Sequence, residues 1–195
     1  MEAAAAQVSE FAPEPLGDRA SIRHATFRDV PQIVSIMNEA IAGGTGLDEK
    51  PKTTHQIERW YEEHDKRYVV LVAADEAGHV LGCGSLNRYH PEFDSCAGVA
   101  DVTCFLGIGA QRRGLGSRLM TELERHARQH DFHKLSARTS PASRSVRRLL
   151  RKFAFRVVGV HRRDAVIGGN YIDVMLLEKL LSPGRYRIGV PAEGE

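Results

Sequence analysis

The ten residues from Gly107 to Gly116 constrain this chain more than any other segment. Glycines stand at 107, 109, 114 and 116. A β-type apolar run, Ala97 to Leu106, precedes them, and Leu115, Leu119, Leu123 and Ala127 then recur at helical spacing. A strand that turns through glycines into a helix offers unpaired amides and the positive end of a helix dipole. Glycines also let that backbone approach a phosphate closely. Three phosphate cradles can be tested here. The dinucleotide pattern fails because Arg112 stands where its third glycine belongs. The P-loop pattern fits Gly109 and Gly114, then fails at Leu115, where a lysine must reach the phosphates. The third pattern, Gln-x-x-Gly-x-Gly, matches at Gln111, Gly114 and Gly116, with Arg112 and Arg113 adding positive charge for a diphosphate.

The rest of the chain is consistent with an enzyme-sized domain. Its 195 residues are 42% hydrophobic and 27% charged, enough for one core of ordinary solubility. Lys and Arg total 27 against 25 Asp and Glu, a balance that favours neither nucleic acid nor an anionic membrane as partner. Cys83, Cys96 and Cys104 are odd in number and lack CxxC spacing, which argues against a disulfide framework or a zinc site and for a reducing compartment. His126, His130 and His133 are spaced suggestively, but no carboxylate–His pattern completes a metal site. Met1 to Ala6 lacks the features of a secretory signal, and Tyr68 to Ala74 is too short to span a bilayer. These readings predict a cytoplasmic protein with no metal.

Strand and helix patterns alternate between a tail at 1–19 and another at 182–195, leaving a domain at 20–181. Within the second tail, Tyr186, Ile188 and Val190 could add a short edge strand. Ser21 to Ala25 reads as a strand, and Thr26 with Asp29 as a capping box opening a helix that ends at Ala42-Gly43-Gly44. Thr53 or Thr54 caps a second helix carrying Trp60. Tyr68 to Ala74 and His79 to Arg88 form a hairpin, and Ala97 to Leu106 a further strand. After the glycine segment and its helix come a strand at Lys134 to Arg138, a helix through Leu150, and strands at Phe155 to Val160 and Tyr171 to Leu180. The order β-α-α-β-β-β-α-β-α-β-β predicts a mixed α/β sheet with helices on both faces.

The Gln111–Gly116 loop resembles the acyl-CoA loop of the GNAT superfamily of N-acetyltransferases. The likeness extends to Gly46-Leu47-Asp48-Glu49-Lys50-Pro51, Trp60 and the Tyr68–Ala73 run, to the segment Gly82–Phe93, and to Gly168–Val174 with its Tyr171-Ile172-Asp173. Over roughly residues 21–181 the chain is similar to the phosphinothricin acetyltransferase branch, whose members acetylate the amino group of small amino-acid-like compounds. The resemblance implies a mostly antiparallel central sheet whose splayed strand pair holds acyl-CoA, acetyl-CoA as co-substrate, and a homodimer.

Acyl transfer to an amine requires a base for the amine's proton and donors for the oxyanion that develops. By resemblance, Cys104, Phe105 and Leu106 flank the pantetheine, and Gln111, Arg112, Arg113, Gly114, Leu115 and Gly116 hold the pyrophosphate. Asp101 lies four residues before Phe105, at the branch's usual base position, where glutamate is general. A hydrogen-bonded Asp at a strand bulge is the alternative. Ala154-Phe155 matches the family's Gly-Phe, which places Ser143 at its Asn and Leu150 at its Tyr or His. Ser143 can cap the helix and bond the pantetheine. Leu150 cannot protonate a thiolate, so the usual general acid is missing. Arg144, Arg147, Arg148, Arg151 and Lys152 either reach the CoA 3′-phosphate or form a solvated face. Tyr89, Phe93 and Tyr171 are candidate acceptor-pocket residues, and Asp173 is read as structural or as lining that pocket. Two other readings stay open: a peptide lysine acetyltransferase, favoured by an acidic cleft, and a silent acyl-CoA-binding module, suggested by Ser143 and Leu150.

Overall fold

Strand β2 (Val70–Ala74) shows why the sheet carries helices on both faces. All five of its residues are buried, with Val70 and Val72 in one hydrophobic cluster and Leu71 and Ala73 in another. Successive side chains of a strand point to opposite faces, so a wholly apolar run belongs in a sheet covered twice. The computed structural model describes residues 20–44 and 46–182. The tail at 1–19, the tail beyond Ser182 and the candidate strand around Tyr186, Ile188 and Val190 lie outside the described residues.

In chain order the other elements are β1 (Ser21–His24), α1 (Val30–Ala42), α2 (Thr54–Glu62), β3 (Val80–Arg88), β4 (Val99–Leu106), α3 (Leu115–Gln129), β5 (Lys134–Thr139), α4 (Arg144–Lys152), β6 (Arg156–Ile167) and β7 (Asn170–Leu180). Among the described residues seven strands form one sheet in the order β1-β2-β3-β4-β5-β7-β6, antiparallel at every pairing except β4–β5. Val30, Ile33, Ile36 and Met37 of α1 and Ile57 of α2 cover one face of the first strands. Leu115, Leu119, Met120, Leu123 and Ala127 of α3 cover the other, joined by Leu150 of α4. Gly84 makes this closeness possible: a Cβ there would stand 2.8 Å from Leu123 Cδ1. Among the described residues no helix is long and apolar enough to cross a membrane.

Two boundaries differ from expectation by more than two residues. The first helix starts at Val30 because Phe27–Asp29 form a 3-10 turn, although the amide of Thr26 still donates to Asp29 Oδ2 at 2.7 Å. The sixth strand runs to Ile167 rather than Val160. Its register with β7 shifts at Gly159 and again between His161 and Ala165, where Arg163 has a φ of +56°. Such bulges erase the period-two alternation by which a strand is recognised. Asp173 holds the second bulge, its Oδ1 accepting from the Arg163 amide at 2.9 Å, which makes it a structural residue.

The sheet divides between β4 and β5. Their parallel pairing covers only Val99–Asp101 against Lys134–Ser136. Beyond it β4 continues on β3 to Leu106, and β5 continues on β7 to Thr139, without pairing to each other. The expected splayed strand pair is therefore present, and Asp101 occupies the last paired position at its apex.

Candidate active site

The glycine segment leaves β4 and is fixed before it reaches α3. The Gly107 amide donates to Leu81 O and the Ile108 amide to Glu39 Oε2 on α1, both at 3.0 Å. The backbone then turns left-handed at Arg112 (φ +62°) and Gly114 (φ +78°), so any side chain at 114 would strain the turn. The first intrahelical bond runs from Arg118 N to Gly114 O, which leaves the amides of α3's first turn without helical acceptors. Gln111 and Arg112 are exposed and Arg113 is half-buried beside this helix end. Leu115 is fully buried, so only its backbone can face a ligand.

The walls of the split are apolar. Cys104 and Leu106 pack against the α3 cluster, and Phe105 against the α1–α2 cluster. Burial pushes the Cys104 thiol up to about 12, so it stays protonated and acts as a small apolar residue. Across the split, Ser143 takes the N-cap position of α4, but its hydroxyl makes no capping hydrogen bond. The expectation that it caps the helix is thus corrected. With φ −75° and ψ +77° the residue lacks the extended backbone usual at an N-cap, and its hydroxyl is not spent on the helix. Leu150 is 4% exposed in the core, which leaves no proton donor at that position. Lys152 Nζ donates to Ser117 Oγ at 2.9 Å, tying the end of α4 to the start of α3. Arg144, Arg148 and Arg151 are exposed, while the Arg147 Nε is enclosed without an acceptor.

Asp101 is 8% exposed. One carboxylate oxygen, Oδ2, accepts a 3.3 Å hydrogen bond from Arg138 NH2, and the other, Oδ1, is buried with no partner. Burial raises its proton affinity above the ordinary carboxylate value, and Arg138 and Ser136 only partly offset this. Its strand position is held from behind. Asn87 on β3 donates from Nδ2 to Asp101 O at 3.0 Å, and its Oδ1 accepts from Trp60 Nε1 at 3.1 Å. Trp60 therefore packs in the core and also orients the residue that pins Asp101's backbone.

Beside Asp101, over β5 and β7, lies a cavity of about 390 Å³. Arg88, Tyr89, His90 and Pro91 line one side, Lys134, Ser136 and Arg138 of β5 the floor, and Val158, His161, Asp164, Leu176, Leu177 and Glu178 the far side. Of the three predicted pocket residues, Tyr89 lines it. Phe93 is 57% exposed on the following loop and Tyr171 69% exposed at the start of β7, and neither lines the cavity. Sequence reasoning missed Lys134, Ser136, Arg138 and Glu178. The signal was present: an interior strand has apolar residues on both faces, whereas Lys134, Ser136 and Arg138 put polar groups at every second position. Among the described residues no group of three His, Cys, Asp or Glu side chains is arranged to hold a metal ion.

Residues 33–155 match the family model described as Acetyltransferase (GNAT) family. The chain is 28% identical over 168 residues to an L-methionine sulfoximine/L-methionine sulfone acetyltransferase of Pseudomonas paraeruginosa, covering 85% of this chain and 97% of that protein. It is 30% identical over 138 residues to a phosphinothricin N-acetyltransferase of Streptomyces coelicolor, covering 69% of this chain and 80% of the relative. The fold is similar to that of a GNAT superfamily phosphinothricin acetyltransferase from Sinorhizobium meliloti solved in complex with AcCoA. The TM-score is 0.78 at 23% identity, with 85% of this chain and 90% of that one covered.

Proposed function

The chain belongs to the acetyltransferase (GNAT) family, and from that premise we propose that residues 20–181 transfer an acetyl group from acetyl-CoA to the amine of a small amino-acid-like acceptor. One observation carries the assignment of roles. At the apex of the β4–β5 split lies a buried carboxylate, Asp101, with one oxygen unpartnered, and the acceptor cavity opens beside it. The residues present fit the co-substrate. The unpaired edge of β4 from Val102 to Leu106 suits an extended pantetheine, and the amides at Gly114–Gly116 with Arg112 and Arg113 suit its diphosphate. Cys104, Phe105 and Leu106 supply the apolar wall, and Ser143 supplies a hydroxyl from the opposite side. The thioester, when bound, supplies an electrophilic carbon and a thiolate leaving group.

Asp101 is the general base. Its raised proton affinity suits it to take a proton from an ammonium, and Oδ2 gives up only one long hydrogen bond to accept it. With Leu150 in the core, no side chain protonates the departing thiolate from α4. A thiol of pKa about 8.5 leaves without one near neutral pH.

The relatives named for methionine sulfoximine and phosphinothricin support a small zwitterionic acceptor. A peptide lysine would call for an acidic cleft, whereas three of the strong cations here, Arg88, Lys134 and Arg138, face two carboxylates, Asp164 and Glu178. A homodimer belongs to the same proposal. Among the described residues β6 is a sheet edge that leaves Val157 and Val158 more than half exposed, a surface suited to a second copy, and sedimentation should give the mass of a dimer. The function is tested by following CoA thiol release from acetyl-CoA with a panel of amino acids and analogues. Turnover with at least one is expected. Tight CoA binding with no acetylated product from any amine would sink the proposal.

A further inference from the structure

The acceptor cavity has more positive charge than its carboxylates answer, and most of that charge is already committed. Arg88 pairs with Asp65 at 3.1 Å and its guanidinium lies 4.3 Å from the centre of the Tyr68 ring. Lys134 pairs with Glu178 at 2.8 Å, and His161 lies 3.5 Å from Asp164. Arg138 differs. Among the described residues its hydrogen bond is the single 3.3 Å contact to Asp101 Oδ2, and its side chain is 58% exposed. A guanidinium presents five N–H donors in a planar fork that matches a carboxylate through two parallel bonds. Here the fork meets Asp101 through one nitrogen, and the exposed side chain lines the cavity.

We propose that Arg138 is the specificity-determining residue that anchors the carboxylate of an α-amino acid acceptor in this cavity, while the acceptor's amine meets the Asp101 carboxylate that Arg138 now holds. This inference rests on the acetyltransferase reading above and goes further by fixing how the acceptor is recognised. An α-amino acid carries its ammonium and carboxylate on one carbon, so the two charges are held within a few ångströms. Asp101 and Arg138 present the opposite charges at the same scale, in contact on one face of the sheet.

The register explains why they can do so. Asp101 is paired with Ser136, and Arg138 is two residues further along β5, on the same face but past the point where β4 and β5 part. An incoming zwitterion therefore exchanges one weak protein ion pair for two complementary ones. The Arg138 fork turns to the substrate carboxylate, and the Asp101 Oδ2 that it releases accepts the ammonium. Asp101 then takes one proton from that ammonium as the neutral amine forms. Drawing Arg138 away removes the cation that holds Asp101's proton affinity down, so carboxylate binding strengthens the base that must act next. The cavity, about 390 Å³, accommodates an amino acid with a medium side chain.

The test compares the amino acid that the enzyme acetylates best with its own carboxamide, in the wild type and in Arg138→Gln and Arg138→Lys. The wild type should prefer the acid. In Arg138→Gln, kcat/KM for the acid should fall on the order of 10–100-fold, mostly through KM, as expected for loss of a charge-assisted pair. The amide should lose no more than about 3-fold, because removing the cation also strengthens Asp101 as a base. Arg138→Lys should recover part of the loss, because it keeps the charge but not the fork. The acid-to-amide ratio of wild type over variant cancels the difference in amine basicity between the two acceptors. Equal losses for acid and amide would overturn the proposal and leave Arg138 as a partner of Asp101 alone. Efficient wild-type acetylation of the amide with no preference for the acid would overturn it too, yet leave the acetyltransferase reading standing. Failure of every amine would remove both.

Discussion

Two aspartates, Asp29 and Asp101, are buried almost equally, at 4% and 8% exposure, and have opposite environments. Asp29, at the junction of β1 and α1, accepts from Arg23 NH1 and NH2 at 2.7 and 2.8 Å, and from the Thr26 amide and hydroxyl at 2.7 and 2.9 Å. These bonds pull its pKa down to about 2, with the Arg23 pair the largest cause. Asp101, at the apex of the split, has one long bond and one unpartnered oxygen, and burial drives its proton affinity up. A carboxylate that is fully bonded cannot take a proton at working pH, and one that is buried and half-bonded can. The first kind of site holds the fold together. The second carries a standing desolvation cost, which a catalytic base needs and a structural residue avoids.

The sharpest way to break this contrast is to remove each charge in turn. Asp101→Asn should lower kcat/KM by on the order of 10²–10⁴-fold, the range general-base catalysis supplies. Its unfolding free energy should stay level or rise, because a buried charge that Arg138 only partly offsets is removed. Asp29→Asn should do the reverse. It should leave kcat/KM within about 3-fold while costing about 2 kcal/mol, the value of a carboxyl shifted from 3.8 to about 2. Steady-state thiol release and urea unfolding on the same two preparations would decide. A large loss of stability in Asp101→Asn, or a large loss of rate in Asp29→Asn, would erase the distinction.

The two aspartates were unequally legible in the sequence, for a physical reason. Asp29 follows Thr26 by three residues before an apolar helical run, so its role is local and written in adjacent positions. The same holds for α3, whose apolar stripe and glycine-rich start are contiguous, and for α2, where Thr53, one of the two expected caps, bonds with Gln56. Asp101 was singled out by the family resemblance, which sets a carboxylate four residues before Phe105 within one strand. Its partner Arg138 was not, because 37 residues separate them and only the short β4–β5 register brings them together. Ser143 and β6 show the same limit. Whether a hydroxyl caps depends on backbone angles, and a strand that bulges at Arg163 loses the alternation that would extend it. Local chemistry could be read directly, whereas the cavity needed the sheet order.

A third measurement sharpens the comparison at its source, the dependence of stability on pH. For Asp29 the folded pKa lies below the unfolded one. Its contribution, about 2 kcal/mol, is complete above the ordinary carboxylate pKa and is lost as pH falls from about 4 towards 2. Wild type and Asp29→Asn should therefore differ most at neutral pH and converge in acid.

The smallest expected effect is the same experiment on Asp101, and its sign is opposite. Its folded pKa lies above the unfolded value, so below about pH 4 both states hold the proton and the residue contributes no pH dependence. As pH rises past that point the unfolded chain releases its proton while the folded protein keeps it. Stability then falls until the folded carboxyl also ionises. Wild type minus Asp101→Asn should thus slope downward with pH where wild type minus Asp29→Asn slopes upward. Replacing Arg138 with Gln should steepen the downward slope, because the cation that partly offsets burial is gone. Urea midpoints taken across pH 3 to 8 would read both slopes. An Asp101 curve that rises with pH would mean that its carboxylate is stabilised in the fold, as Asp29 is, and that it is a structural residue rather than the base.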